Sequence, residues 1–262
     1  MISQENSTGR PLADANWLAC HHQAKLPERI AFAKRLAALK PKSVVDLGCA
    51  SGLWLELLNQ ILPTECEFIG IDSDEELLNI ATQRSNSWQR KVSFLQLDLE
   101  DDASKIPSSD LTLAFNIFPY IRNLDSFVNA LSMRVPRGTL AVRQYDGASI
   151  RFGPMPTSKR QDIEIDLRVA TESSRRFHHY DMDRTFNILR NSAFQQCSYE
   201  FELFERSSPF PNDFLQYYKE TLRWINQFLS EKTAAYLQEW IDSDPLLQNR
   251  YVYEVDLVAL LS

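Results

Sequence analysis

Glycine is scarce in this chain, with seven residues in 262, well below the usual share of about 7%. Glycine-rich architectures are excluded, and glycine repeated within one short stretch is there for a backbone reason. Cysteine is sparse too: Cys20, Cys49, Cys66 and Cys197 have no C-x-x-C spacing, which argues against a disulfide framework and fits reduced thiols in a cytoplasmic protein. No run of about eighteen apolar residues occurs, and Met1 to Asn16 is polar without an apolar signal core, so no membrane span or export signal is read. Long Lys/Arg runs are missing and the formal charge is −7, which argues against a nucleic-acid partner. Neither histidine pair has a spacing such as H-E-x-x-H, so no metal site is expected.

What is present is enough apolar residue, 44% of the chain, to bury one sizeable core in a single domain. The organising stretch is Ser43-Val44-Val45-Asp46-Leu47-Gly48-Cys49-Ala50-Ser51-Gly52, an apolar strand running through an acid into a small-residue turn. Leu53 to Leu58 then begins a helical pattern. Gly48 permits a sharp turn and Gly52 a close backbone approach. Dinucleotide sites use G-x-G-x-x-G to seat a pyrophosphate, but Asp46 at the strand's end would repel one and suits a cationic ligand. The string resembles the first motif, [DE]-x-G-x-G-x-G, of class I S-adenosylmethionine-dependent methyltransferases, with Ala50 at the middle glycine. The resemblance implies a Rossmann-like α/β fold: a seven-stranded, mostly parallel sheet ending in an antiparallel hairpin, with N-terminal helices and a helical insertion before the last strand.

Ahead of the turn, residues 13–24 and 27–39 read as two helices, a cap over 1–40 that in this superfamily packs across the ligand mouth. His21, His22 and Lys25 then approach the ligand or serve only in packing. The cofactor-binding core spans 41–146. Phe68-Ile69-Gly70-Ile71-Asp72 is the second strand, and Asp72, about 20 residues beyond the turn, can accept from both ribose hydroxyls. Ser73 to Glu76 offers a capping box. The third strand, 92–97, leads to Asp98-Leu99, where the resemblance implies an acid accepting from the adenine amino group and a backbone N–H meeting the ring; a solvated loop acid is the alternative. The continuously apolar fourth strand, 111–116, suits a central parallel position and delivers Asn116 to the methionine portion, with Phe118 and Tyr120 towards the sulfonium. The element Ile117-Phe118-Pro119-Tyr120 resembles the N-P-P-Y of amino-group methyltransferases at a different spacing, and no amine substrate is inferred from it.

A helix over 126–133 and a fifth strand over 138–145 follow. The segment 147–193 is read as substrate-side loop and helices: a long Gly/Pro-bearing loop to about 160, a helix over 162–170, and a helix over 182–191 with Asp181 as its N-cap. Arg143 and Arg151 are candidates for a substrate carboxylate, or pair with nearby acids. In 194–262, strict alternation over 199–203 and 251–257 gives the terminal antiparallel strands, with two amphipathic helices inserted over 211–243.

S-adenosylmethionine is therefore the expected cofactor, and a small molecule the expected partner. A hydroxyl or ammonium acceptor requires a base. His178 and His179 are candidate bases, with Tyr180 and Tyr145 as alternatives; Tyr120, Tyr145 and Tyr180 can also stabilise the sulfonium by cation–π contact, worth about 0.5–2 kcal/mol. The cofactor set is Asp46, Gly48, Cys49, Ala50, Gly52, Asp72, Ser73, Asp98, Leu99, Asn116 and Phe118. The expected activity is methyl transfer to oxygen or nitrogen of a small molecule. Two alternatives stand beside it: intramolecular cyclisation of the cofactor to azetidine-2-carboxylate with release of methylthioadenosine, and a non-catalytic cofactor-binding subunit serving a partner.

Overall fold

In the computed structural model, residues 13–135, 137–173, 180–244 and 246–262 are described. Two helices lead, α1 (Ala15–Ala24) and α2 (Leu26–Ala37). Asp14 caps the first by accepting the Trp17 N–H at 2.9 Å, and Pro27 occupies the first turn of the second, where its missing N–H leaves no helical bond unmade. Strand and helix then alternate: β1 (Ser43–Leu47), α3 (Leu53–Asn59), β2 (Glu67–Asp72), α4 (Glu75–Ser85), β3 (Val92–Gln96), the short α5 (Leu99–Asp102), β4 (Leu111–Phe115), α6 (Leu124–Arg134) and β5 (Thr139–Tyr145). These five strands are parallel, in the order β3-β2-β1-β4-β5.

The rest of the chain completes the sheet and covers one end of it. It runs through β6 (Arg151–Gly153), α7 (Thr157–Ser173), α8 (Met182–Arg190), β7 (Cys197–Ser207), α9 (Asn212–Asn226), α10 (Glu231–Asp242) and β8 (Tyr251–Leu261). β8 lies antiparallel to β5 on one side and to β7 on the other. The first residues of β8 extend past β5 and pair with β6, which makes eight strands where the resemblance implies seven. The Gly/Pro-bearing stretch expected as a long loop thus contains a three-residue strand and the first turn of α7. The terminal strands are eleven residues each, longer than the alternating segments predict.

Alternation along the strands sorts side chains between two cores. Val45, Leu47, Ala114, Leu140 and Val142 pack with Phe127, Val128 and Leu189. Val44, Leu111, Leu113 and Ala141 pack with Phe32, Leu36, Leu55 and Leu58. All five residues of β4 are buried, as a central strand covered on both faces requires, and each fully buried Leu, Val or Phe contributes about 1.5–3 kcal/mol. A third core lies under α7, α9 and α10, where Phe214, Tyr218, Leu222 and Leu237 meet Phe152, Phe204 and Val252 from the sheet. It fixes α9 over the carboxyl end of the strands, and α9 also packs on α1. Among the described residues no helix is long and apolar enough to cross a membrane.

Candidate active site

The strand order reverses at β1, whose neighbours are β2 and β4. In open α/β sheets the crevice outside the carboxyl ends at such a point is where ligands bind. A cavity of about 610 Å³ occupies it, lined by residues following β1, β2, β3 and β4 and closed over by α1 and α9.

The turn after β1 forms its floor. Gly48, Ala50 and Gly52 all have positive φ, at 66°, 47° and 77°. A Cβ at Gly48 would stand 2.5 Å from Ile117 Cγ2, so only glycine lets the turn approach the end of β4. Ala50 tolerates the left-handed region at a cost of about 1–2 kcal/mol. The turn is tied to β2: the Cys49 N–H donates to the Ile71 carbonyl at 2.9 Å, and the Ala50 N–H donates to Asp72 Oδ2 at 2.8 Å. Asp72 Oδ1 accepts the Asp74 N–H at 3.0 Å. The N-cap of α4 is Asp74, which accepts from Leu77, and not Ser73 as the capping box predicts; Ser73 lines the cavity instead.

The acids differ in environment. Asp46 is buried beneath the turn with Oδ2 lacking a hydrogen-bond donor. Burial, reinforced by Asp72 and partly offset by Arg29, pushes its carboxyl up to about 8. Burial also raises Asp72, against the pull of the backbone N–H groups it accepts. Asp98 N-caps α5 by accepting the Glu100 N–H at 2.9 Å and, with Leu99, lines the cavity. Burial pushes the Cys49 thiol up.

The N-terminal helices contribute a basic wall. Arg29 lines the cavity and is buried, its guanidinium 2.5 Å from His22 Nδ1, 3.4 Å from His21 Nδ1 and 5.1 Å from the centre of the Trp54 ring. It has no carboxylate within salt-bridge distance among the described residues. Burial lowers it to about 10. Burial and then Arg29 hold His22 down at about 3, and the same causes, with Lys25 adding, hold His21 well below the imidazole range. His21 and Lys25 line the cavity, whereas His22 does not. His21 stacks against Trp17 and Tyr217 at 6.2 and 5.4 Å.

Another part of the wall is aromatic. Tyr120, Tyr145 and Tyr180, separated in sequence, meet here: the hydroxyls of Tyr120 and Tyr180 are 3.0 Å apart, and Tyr145 and Trp224 each meet the Tyr180 ring edge to face. Asn116, held at φ 56°, accepts the Tyr145 N–H on Oδ1 at 2.9 Å.

Phe118, Arg143 and Arg151 lie off the cavity lining, Arg143 taking the acid-paired alternative given for it. Phe118 packs in the core with 1% exposure, because the short 3-10 turn of residues 118–120 swings its ring inward and leaves Ile117 and Tyr120 on the cavity. Arg143 is committed to acids of its own sheet: Nε donates to Asp256 at 2.7 Å and Nη1 to Glu202 at 2.8 Å. It reaches only a crevice of about 10 Å³, the size of one water. Arg151 lies exposed on β6, donating to the Tyr253 hydroxyl at 3.2 Å, outside the cavity lining. His178 and His179 lie outside the described residues.

Sequence reasoning missed Arg29, Trp17, Tyr217, Trp224 and Glu254, all of which line the cavity. One signal was available for the last. Val252, Glu254 and Asp256 share the buried face of β8, and acids in phase with a buried valine mark paired charges.

The comparisons agree with this geometry. Residues 44–135 match the model of the "Methyltransferase domain" family. Over 113 residues the chain is 26% identical to a ubiquinone biosynthesis O-methyltransferase of Hydrogenovibrio crunogenus, covering 43% of this chain and 46% of that one. Over a stretch of the same length it is 30% identical to a trans-aconitate 2-methyltransferase of an Acidovorax species, covering 43% and 42%. The matched segment therefore spans less than half of either relative. A solved structure from Bacillus halodurans C-125 shares the fold with TM-score 0.55 and 13% identity, over 88% of this chain and 97% of that one. Residues 44–135 thus match a methyltransferase domain, and the chain shares the fold of the solved Bacillus halodurans structure.

Proposed function

We propose that this chain is an S-adenosylmethionine-dependent methyltransferase acting on an oxygen or nitrogen atom of a small molecule. The observation that carries the reading is the charge arrangement around the glycine turn: a buried arginine with no carboxylate partner among the described residues, a buried acid, Asp46, under the turn and a half-buried one, Asp72, beside it. A ligand with a carboxylate, a cationic centre and a polar nucleoside fits such a site, and a pyrophosphate does not.

The residues present fit that cofactor. Each Asp72 oxygen uses one acceptor site on the backbone and retains another for a ribose hydroxyl. Asp98 accepts from the adenine amino group, and the Leu99 N–H, at the first position of α5, has no intrahelical acceptor to compete for it. Arg29 takes the amino-acid carboxylate in a charge-assisted pair. Asn116, whose Oδ1 is held by the Tyr145 N–H, would meet the methionine portion. When bound, the cofactor supplies a methyl group on an electrophilic sulfonium. The protein's part is to align an acceptor with it and keep water out, which the helices α1 and α9 and the rings of Tyr120, Tyr145 and Tyr180 are arranged to do. A cytoplasmic setting, with no nucleic-acid or membrane partner, goes with this reading.

The test is mass spectrometry of purified protein with methyl-labelled S-adenosylmethionine, alone and with a panel of small alcohols, phenols, amines and acids. Acceptor-dependent S-adenosylhomocysteine supports the reading. Methylthioadenosine formed without an acceptor replaces it with cofactor cyclisation or cleavage.

A further inference from the structure

Facing the tyrosines, the cavity wall holds a buried charge pair that cofactor binding does not use. Lys25, at the junction of α1 and α2, forms an ion pair with Glu254 Oε2 of β8. The other oxygen, Oε1, accepts from the Tyr217 hydroxyl of α9 at 2.7 Å. Three separate elements thus converge on one carboxylate that is 1% exposed, and all three side chains line the cavity. The lysine ammonium sits among rings, 4.6 Å from the centre of Phe204, 5.6 Å from Tyr145 and 6.0 Å from Tyr217. Burying such a pair is seldom worth its desolvation for stability alone.

We propose that Tyr217 and Glu254 form the proton-accepting relay of the enzyme, and that the acceptor is therefore a hydroxyl group. The proposal rests on the methyl-transfer reading above. Because the Tyr217 hydrogen is committed to Glu254, its oxygen can only accept from a ligand. A substrate O–H placed there gives its proton to the Tyr217 oxygen as the phenol proton passes to Glu254. The substrate oxygen forms its bond to the methyl carbon, and the carbon–sulfur bond breaks with its electron pair staying on sulfur. Before the step the site holds a sulfonium, a carboxylate and an ammonium; afterwards it holds a neutral thioether, a carboxylic acid and the same ammonium. The net charge of the buried site is unchanged. Lys25 is a positioning residue: its ion pair holds Oε2 of Glu254 and leaves Oε1 turned to Tyr217.

Other groups in the wall are less suited. His21 accepts from Arg29 at Nδ1, and burial, Arg29 and Lys25 all oppose its protonation. Asp256, two residues along β8, is committed to Arg143. Burial and Glu254 raise both Tyr145 and Tyr217 well above the phenol range, so neither ionises on its own; of the two, only Tyr217 has a hydrogen-bonded carboxylate among the described residues, Glu254 at 2.7 Å, to pass its proton to.

The experiment measures initial rates of wild type, Glu254→Gln, Tyr217→Phe, His178→Ala and His179→Ala with an aliphatic alcohol, phenol, para-nitrophenol, a primary amine and a carboxylic acid. A second readout needs no turnover: the absorbance of bound para-nitrophenol, below its own pKa, in the presence of a non-reactive cofactor analogue with an ammonium in place of the sulfonium. Expected are hydroxyl methylation by wild type and a fall of roughly 10²–10⁴-fold in Glu254→Gln and Tyr217→Phe for unactivated hydroxyls. The fall is much smaller for para-nitrophenol, and the phenolate band appears with wild type but not with Glu254→Gln. Tyr217→Phe keeps the ring stacked on His21, so it separates loss of the phenol from loss of fold. Hydroxyl turnover that survives both variants, that is lost instead in the histidine variants, or that is absent while amines or acids react overturns the relay and leaves methyl transfer standing. No phenolate band with wild type also overturns it. Methylthioadenosine without an acceptor removes the methyl-transfer reading itself.

Discussion

Asp72 clamps the glycine turn to the second strand, accepting the Ala50 N–H on one carboxylate oxygen at 2.8 Å while the other accepts the Asp74 N–H at 3.0 Å. The residue that would meet the ribose is thus also the one that shapes the floor on which the ligand lies. Asp72→Ala is expected to weaken S-adenosylhomocysteine binding by about 1–3 kcal/mol and to lower Tm, since it leaves two partly buried backbone donors without their acceptor. Asp72→Asn, which keeps one acceptor oxygen but turns an NH2 toward the other backbone donor, should lower Tm less than Asp72→Ala while still losing affinity. Calorimetry and thermal unfolding on the two variants check both halves; unchanged affinity in Asp72→Ala removes the ribose assignment.

Arg29 has its own signature. If it holds the amino-acid carboxylate, Arg29→Met loses about 1.5–3 kcal/mol of S-adenosylhomocysteine affinity, at least tenfold. It loses little for methylthioadenosine, which lacks the carboxylate. Equal losses for the two ligands in paired titrations would mean that the arginine only supports the wall.

Gly48 tolerates no side chain. Gly48→Ala combines a positive φ with a Cβ at 2.5 Å from Ile117 Cγ2, and about 1–3 kcal/mol of stability should be lost. Ile117→Ala removes the clashing atom, so the double variant should lose less stability than the two single losses added together. Urea unfolding of both single variants and the double variant measures the coupling.

Asp46 ties stability to pH. Its carboxyl is raised to about 8 by burial and Asp72, so the folded chain holds a proton that the unfolded chain has released. Its contribution to stability is therefore fully present below the ordinary carboxylate range and is lost as pH rises from there to about 8. Asp46→Asn should show a smaller fall over that window in Tm measured against pH. A cationic ligand next to the carboxyl lowers it again, so cofactor binding near neutral pH should release a proton. That release appears as a binding enthalpy that depends on the buffer's heat of ionisation, and it disappears in Asp46→Asn.

Arg143 is predicted to matter for the fold. Removing one partner of its pair with Asp256, both nearly inaccessible, should cost about 3–5 kcal/mol. Arg143→Met should accordingly lower the urea midpoint sharply and leave the cofactor affinity of the folded fraction intact.

Much of this organisation was legible because it is written locally. Val44-Val45 before Asp46, the two glycines, and the acids at 72 and 98 each sit at the end of an apolar run whose period identifies the strand. The paired-strand core and the α9 cap follow from such runs. What was not legible depends on partners far away in the chain. Strand β6 is three residues long inside a Gly/Pro-bearing stretch and exists because the start of β8 extends past β5. Phe118 looks like its cavity neighbour Tyr120 until a single 3-10 turn divides them. Lys25 and Glu254 are 229 positions apart, and no local pattern joins them. Arg29 reads as an ordinary helical arginine until the fold denies it a carboxylate.

The most direct test of the central claim is a calorimetric titration of S-adenosylhomocysteine into the wild-type chain, with adenosine as the control. The site described here predicts a one-to-one isotherm, a raised Tm, and markedly tighter binding than adenosine, because Arg29 and the turn recognise the amino-acid end. No binding, or affinity equal to that of adenosine, would contradict it.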